Sequence, residues 1–596
     1  MAQVFKTTDY TIGKLIEDIE IGDIALPDIQ RPFVWYKKIS KVRDLFDSIY
    51  RGYPIGYLLF WENANRSDYK NIGFEEKKRK IPRFLIIDGQ QRLTALFAVM
   101  KNQEVLTPDY EKRKIKIAFK PLDSTFKVAD AATDRDPEYI ADLSSLWSGD
   151  GDYAIISSFM ANLREKREVS KDEEKIISTN IQSLININKY PLTALEIAPN
   201  LEEEVVSDIF VRINSAGVSL TQADFILTLL SVYWEEGRKE IEQFCIDSRK
   251  VPEKETRFSS FNHLIKPDPD DMLRVLIGLA FYRAKMKDVY SIIRGRDAET
   301  GEFVEDLRVR QFDKLKLNLP SILDNTNWQS FLKILIGCGY KDEELISSKN
   351  AVLYSYILYL IGKENFNTSS YELQKVIGRW FVMASITGRY SSSPESEFEK
   401  DLNRIKEFRS DEFVNNLEKI ITDSLTNDFW EISLVAQMET SSARSPEANA
   451  FYAALNKLGS PVLFSKKLVG DLYDPSLKIK KKRLEKHHIF PRNFLVSEYG
   501  FDTNKDKAKI NQIANLTFLE FEDNIGISDA HPKEYFTEMR KRFEEQPSEQ
   551  SINNNLEETL KRHAIPENFF DLKYDEFLNQ RRKLMAKVIR KAFNNI

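Results

Sequence analysis

Apolar side chains recur at helical spacing at Ile39, Val42, Leu45, Phe46 and Ile49, which predicts an amphipathic helix stopped by Gly52 and Pro54. The run Tyr57–Trp61 predicts a short apolar strand. A second, Phe84–Ile87, runs into Asp88 and Gly89, and Leu93, Leu96, Phe97 and Met100 then mark another helix. The order is strand, glycine turn, helix start. Lys114–Phe119 alternates lysine with apolar residues at period two, as a half-buried strand does. From about Leu201 onward the pattern turns mostly helical: Ser219 and Gln222 are spaced as a capping box before the apolar stretch Phe225–Trp234. Between about 236 and 435 helical apolar runs dominate, and no motif there carries chemistry. Glu439–Asn449, rich in Ser, Ala and Glu with one Pro, is the clearest linker candidate.

At 596 residues the chain is too long for one hydrophobic core, and roughly 150 residues per domain allows about four domains. Its 42% hydrophobic and 30% charged residues are those of a globular protein rather than a disordered or fibrous one. The longest apolar stretches, Ala351–Gly362 and Phe225–Trp234, fall short of the roughly 18 to 20 residues that cross a bilayer. Residues 1–20 hold scattered charge and no apolar h-region, so a secretory signal is not expected and the expected location is cytoplasmic. Cys245 and Cys338 lie 93 positions apart without a CxxC partner, which excludes a disulfide framework and a cysteine-built zinc ribbon.

Net charge is −5, so any nucleic-acid contact has to be local. The last 120 residues supply such a place. Lys478, Lys480, Lys481, Lys482, Arg483, Lys486 and Arg492 crowd 477–493 against Glu485 alone, and a second basic segment, Arg581–Lys591, lies on a terminal helix with apolar positions Leu584, Met585, Val588, Ile589 and Phe593. Four of the five histidines, His487, His488, His531 and His563, also fall here. Lysines that neutralise phosphates give sequence-independent, salt-sensitive DNA binding.

The sharpest pattern is His487, His488, Ile489, Phe490, Pro491, followed by Asn515, Leu516, Thr517, Phe518, Leu519 and then Asn524. Phosphodiester hydrolysis needs a base near pKa 7 to activate water and a cation to stabilise the leaving oxygen. A histidine beside a metal ligand supplies both. The nine-residue spacing from Asn515 to Asn524 lets a short strand lead into a helix whose first turn faces back toward the histidines. Over roughly 449–596 the sequence resembles the HNH endonucleases with a ββα-metal core, in particular the C-terminal domains of GmrSD-type, modification-dependent (type IV) restriction enzymes. The resemblance implies His488 as general base, Asn515 as the residue that orders the catalytic loop, and His487 and Asn524 as ligands of a divalent metal. Many relatives carry Asp or Glu in place of His487. An imidazole suits manganese better than magnesium, so the choice between Mg and Mn stays open. The competing reading of the His-His pair is a solvated patch that touches phosphate, with Lys480, Lys481, Lys482, Arg483, Lys486 and Arg492 as DNA contacts in either case. His531 and His563 read as structural or supporting residues.

A second set lies near the start: Pro27, Asp28, Ile29, Gln30, Arg31, Pro32, Phe33, Val34, Trp35, then Tyr53, Pro54, Ile55, Gly56, then Asp88, Gly89, Gln90, Gln91, Arg92, Leu93. A strand that ends in Asp-Gly and opens a helix presents backbone N–H groups, and an arginine in the first turn adds fixed positive charge, a setting that suits phosphate. Phe210–Leu220, with Arg212, Asn214 and Gly217, is another charged turn before a helix. These residues resemble the ParB/sulfiredoxin-like family with the DGQQR signature, the N-terminal half of the same GmrSD-type enzymes, over about residues 10–235. The resemblance implies a nucleoside triphosphate site lined by Gln30, Arg31, Asp88, Gly89, Gln91, Arg92, Arg212 and Asn214, and an NTPase coupled to the nuclease. There is no Walker A loop. The alternative is that Arg31 and Arg92 pair with Asp28 and Asp88 to hold the fold. Asp88 itself keeps three readings: metal ligand, partner that orients Arg92, or helix cap.

The expected fold is an α+β, predominantly helical multidomain chain: a ParB/sulfiredoxin-like α/β domain (1–235), an all-α connector (236–438) and a C-terminal helical domain with the ββα-metal HNH core (439–596). The expected function is nucleotide-regulated, metal-dependent cleavage of double-stranded DNA, with modified phage DNA as the target the resemblance implies. No membrane partner is expected, and a homo-oligomer is left open. Two other classes compete: a nucleotide-dependent DNA-binding sensor with a non-catalytic HNH domain, and a toxin-like nuclease indifferent to modification.

Overall fold

The computed structural model describes residues 4–596 apart from 28–32, 63–68, 71–81, 108, 150, 200, 202–208, 210–225, 227–229, 231–232, 253–258, 298–299, 301, 303, 410–411, 466, 474–483, 521–530 and 546–555. The chain divides into two compact units, Met1–Arg238 and Lys239–Ile596.

The first unit is built on a mixed sheet. Strands β1 (Phe5–Thr11), β2 (Ile24–Pro27), β3 (Leu58–Glu62), β4 (Tyr69–Lys70), β5 (Phe84–Asp88) and β10 (Pro191–Ile197) form six strands in the order β1-β10-β3-β5-β2-β4. β10 runs parallel to β3 and β5 parallel to β2, while β1 with β10, β3 with β5 and β2 with β4 are antiparallel. The central strands are apolar without alternation because both their faces are covered. Leu58 and Phe60 of β3 and Phe84 and Ile86 of β5 enter the main core with α1 (Ile12–Ile21), α2 (Ser40–Tyr50) and α3 (Gln90–Met100). Leu59, Trp61, Leu85 and Ile87 point the other way, onto Ala25 and Ile197. Each such side chain contributes about 1.5 to 3 kcal/mol on burial.

Two small hairpins lie outside this sheet: β6 (Glu104–Leu106) with β7 (Lys112–Lys114), and β8 (Ile117–Lys120) with β9 (Thr125–Val128). The single strand expected over Lys114–Phe119 is therefore divided. Lys114 pairs with Glu104 and Phe119 with Phe126, so its two ends belong to different hairpins. The capping box Ser219/Gln222 lies outside the described residues, as does most of Phe225–Trp234.

The second unit is helical. Its helix Lys349–Glu364 is buried all round from Ala351 to Gly362, which explains the apolar stretch seen in the sequence: it is the central helix of a bundle, packed by Pro269–Phe281 and Ser370–Ile386. No helix among the described residues is long and apolar enough to cross a membrane. The segment Glu439–Asn449 is not a loose linker. Ser445 caps the helix Pro446–Lys457 by accepting from the Ala448 N–H at 3.2 Å, Ala448 and Asn449 are already buried, and the Thr440 carbonyl accepts from the Ile513 N–H at 2.9 Å. Strands β11 (Leu484–His488) and β12 (Leu516–Glu520) pair antiparallel, with His487 opposite Thr517 and His488 opposite Leu516. The helix Pro532–Glu545 follows, and its Tyr535 hydroxyl donates to the Ile489 carbonyl at 2.7 Å. The terminal helix Tyr574–Asn594 packs Phe577 on Phe490, with ring centroids 4.7 Å apart.

Candidate functional site

In the first unit, β5 ends at Asp88 and the chain turns through Gly89 into α3. Gly89 has φ +95°, and a Cβ there would meet the Leu58 side chain at 2.3 Å, so both conformation and space call for glycine. Arg92, in the first turn, does not point away into solvent. Its Nη1 donates to the Ile55 carbonyl at 2.6 Å, and its Nη2 donates to the Tyr57 carbonyl at 2.8 Å and to Asp88 Oδ2 at 3.2 Å. Burial lowers its pKa from the ordinary arginine value and Asp88 acts against that shift. Gly56, at φ +89°, lets the loop lie against the guanidinium, because a Cβ there would sit 2.9 Å from Nη1. The Trp35 N–H donates to Gln91 Oε1 at 3.4 Å.

Three stretches far apart in sequence thus meet at the start of α3: Trp35, the Tyr53–Tyr57 loop and Asp88–Arg92. Gln30, Arg31, Arg212 and Asn214 lie outside the described residues. Of the three readings of Asp88, the contact present is the one that orients Arg92.

Residues 12–231 match the family described as GmrSD restriction endonuclease, N-terminal domain. The match to the GmrSD N-terminal domain spans the sheet apart from β1, with α3 and all three converging stretches, and its description names a restriction endonuclease, which suggests DNA as the substrate. The chain is also similar to the uncharacterized protein MJ0686 of Methanocaldococcus jannaschii, 24% identical with 94% of this chain and 92% of that protein covered. β11 and β12 lie beyond the GmrSD N-terminal match.

In the second unit, successive residues of β11 face opposite ways. His487 is buried, with its ring edge-on to Tyr535 at 5.6 Å between centroids. His488 is half-buried and its Nε2 lies 2.8 Å from Asn511 Oδ1. An amide oxygen only accepts, so the neutral ring carries its proton on Nε2 and keeps the Nδ1 lone pair. Burial holds the His488 pKa below its ordinary value; Asn511 acts against that shift and Arg492 adds to it. The imidazole is therefore neutral, and able to take a proton, at pH 7. Arg492 is exposed at the first residue of the helix Arg492–Tyr499.

Asn515 is fully buried. Its Oδ1 accepts from the Phe490 N–H at 2.9 Å, and its Nδ2 donates to the carbonyls of Phe490 at 3.1 Å and Ile510 at 3.0 Å. It ties the turn after His488 to the loop before β12. Arg581, from the expected basic segment, is also fully buried: Nη1 donates to the Ala514 and Leu516 carbonyls, both at 2.8 Å, and Nη2 to the His563 carbonyl at 3.1 Å. His563 itself bridges Thr517 Oγ1 at 2.8 Å and the Pro461 carbonyl at 2.7 Å, while exposed His531 opens the helix Pro532–Glu545, accepting from the Lys533 N–H at 3.1 Å.

Of the expected metal pair, His487 is described and Asn524 lies outside the described residues, as do Lys480, Lys481, Lys482, Arg483 and the side chain of Lys486. Among the described residues no group of three or more His, Cys, Asp or Glu side chains converges as a metal site. Those residues do not by themselves compose one, and the chemistry is derived from His488 and its neighbours. Sequence reasoning missed Asn511, which carries no motif, and read Arg581 only as part of a basic segment, with no sign that it is buried.

Proposed function

We propose that this chain is a DNA endonuclease of the GmrSD restriction type, with His488 as the general base and a nucleoside triphosphate site at the start of α3 that regulates cleavage. The observation that carries the nuclease reading is the His488–Asn511 contact: a half-buried imidazole, neutral at pH 7, with one nitrogen held and the other left to take a proton. His488 Nδ1 takes a proton from water and the resulting hydroxide oxygen forms the new P–O bond. The bond to the leaving sugar oxygen breaks, and that oxygen is protonated from solvent. Arg492 holds the phosphate beside the base, Asn515 keeps the turn at Phe490 in place, and the basic residues 480–486 bind the duplex backbone. A divalent ion, Mg or Mn, belongs to this proposal and, when bound, would supply stabilisation of the leaving oxygen. His487 and Asn524 would hold it. The succession of β11, β12 and the helix Pro532–Glu545 supports the ββα arrangement.

At the first site, the convergence of three stretches on α3 supports the nucleotide reading, with Arg92 holding the Tyr53–Tyr57 loop beside Asp88. The target is proposed to be modified phage DNA. The test is cleavage of modified and unmodified phage DNA across a panel of nucleoside triphosphates, with Mg or Mn. Nucleotide-dependent cleavage that favours modified DNA is expected. Cleavage of neither DNA under any combination removes the nuclease reading, and equal cleavage of both removes the modification dependence.

A further inference from the structure

The loop from Lys509 to Asn515 is held from four sides. The Tyr574 hydroxyl donates to the Lys509 carbonyl at 2.9 Å, Arg582 Nη1 to Gln512 Oε1 at 2.7 Å, Asn515 Nδ2 to the Ile510 carbonyl, and the Ile513 N–H to the Thr440 carbonyl. Asn511 sits inside this braced stretch, its own N–H bonded to the Lys507 carbonyl at 3.0 Å. It is therefore delivered to His488 by a scaffold, not by a mobile side chain on a loose loop. Two cations of this stretch and its brace are tied elsewhere, Lys509 to Asp575 at 2.6 Å and Arg582 to Glu439 at 3.3 Å, and Arg492 acts on His488 through its charge. That leaves Asn511 as the described group that fixes the ring.

We propose that Asn511 is a positioning residue of the nuclease site, which accepts from His488 Nε2–H and so holds both the tautomer and the direction in which Nδ1 meets water. The proposal rests on the nuclease reading above. A base in the wrong tautomer presents N–H where a lone pair is needed, and loss of the residue that fixes it lowers turnover even when the ring stays in place. A carboxylate at the same position also accepts from Nε2–H, so Asn511→Asp keeps the tautomer while Asn511→Ala releases it.

The test uses the full-length protein with isotope-labelled histidine, whose five residues give few signals, and His488→Ala assigns the relevant one. Ring-nitrogen correlations are recorded at one pH, well above the ordinary histidine pKa of about 6.5. The wild type and Asn511→ Asp variant (N511D) are expected to show the Nε2–H tautomer, and N511A a mixture. In plasmid nicking N511A is expected to lose roughly 10- to 100-fold in kcat with KM little changed, and N511D to recover part of that loss. An Nδ1–H tautomer in the wild type, or a tautomer and kcat that N511A leaves unchanged, overturns the proposal. Tautomers as expected in a wild-type protein that cleaves no DNA overturn the nuclease reading instead.

Discussion

Arg92 and Arg581 are two inward-turned arginines, one in each unit, and both donate to main-chain carbonyls beside a motif. Arg92 reaches Ile55 and Tyr57 with Asp88 alongside, and its side chain keeps 17% exposure. Arg581 reaches Ala514, Leu516 and His563, is wholly buried, and burial pushes its pKa down to about 9. One charge has a carboxylate and some water; the other has dipoles alone. The difference teaches that a basic residue in a sequence carries no address. Arg92 stands in a signature and reads as a ligand for phosphate, yet it grips its own loop. Arg581 stands in a run of six basic residues between 581 and 591 and reads only as part of that basic segment, yet it braces the peptides on both sides of Asn515.

That contrast can be broken by removing each clamp. Arg581→Ala leaves three carbonyls without their donor and a cavity in the core, and is expected to cost roughly 3 to 5 kcal/mol of the second unit's stability in urea unfolding. A loss below about 1 kcal/mol would mean that the carbonyls find other donors. The next effect is on pH. Burial depresses the His563 pKa to about 4, so below about 6.5 the unfolded chain binds a proton that the folded chain refuses. Stability is expected to be full above pH 6.5 and to fall by up to roughly 3 kcal/mol as pH drops toward 4. The first unit contains no histidine, so urea midpoints at the two pH extremes should move through this group for the second unit only, and His563→Gln should flatten the response. Arg92→Ala is expected to cost about 2 kcal/mol and to weaken nucleotide binding about tenfold, read by calorimetry. Equal nucleotide affinity would confine Arg92 to holding the fold. Gly56→Ala, which presses a methyl on the same guanidinium at positive φ, should give the smallest change, about 1 kcal/mol.

What the sequence made legible follows from which groups carry a signature. Phe84–Ile87 and the turn into α3 were readable because a strand buried on both faces is apolar throughout and Gly89 is forced by φ and by Leu58. Lys114–Phe119 was not, since period two says nothing of partners and Ile115 and Lys116 separate two hairpins. In Glu439–Asn449 the Ser and Pro that resemble a linker are the cap and first turn of a helix. At the sites, Asp88–Arg92 and His487–Pro491 stood out as motifs. The acceptors of Arg92 are main-chain carbonyls, which no residue type announces, and Asn511 lies 23 positions from His488 with nothing local to join them.

The central proposal is that DNA cleavage belongs to His488 and its neighbours, and nucleotide chemistry to the α3 site. The most direct measurement is plasmid nicking and nucleotide hydrolysis on the same preparation of folded His488→Ala protein. Cleavage is expected to fall by roughly 10² to 10⁴, with nucleotide hydrolysis close to wild type. Nicking that persists at the wild-type rate would contradict the account.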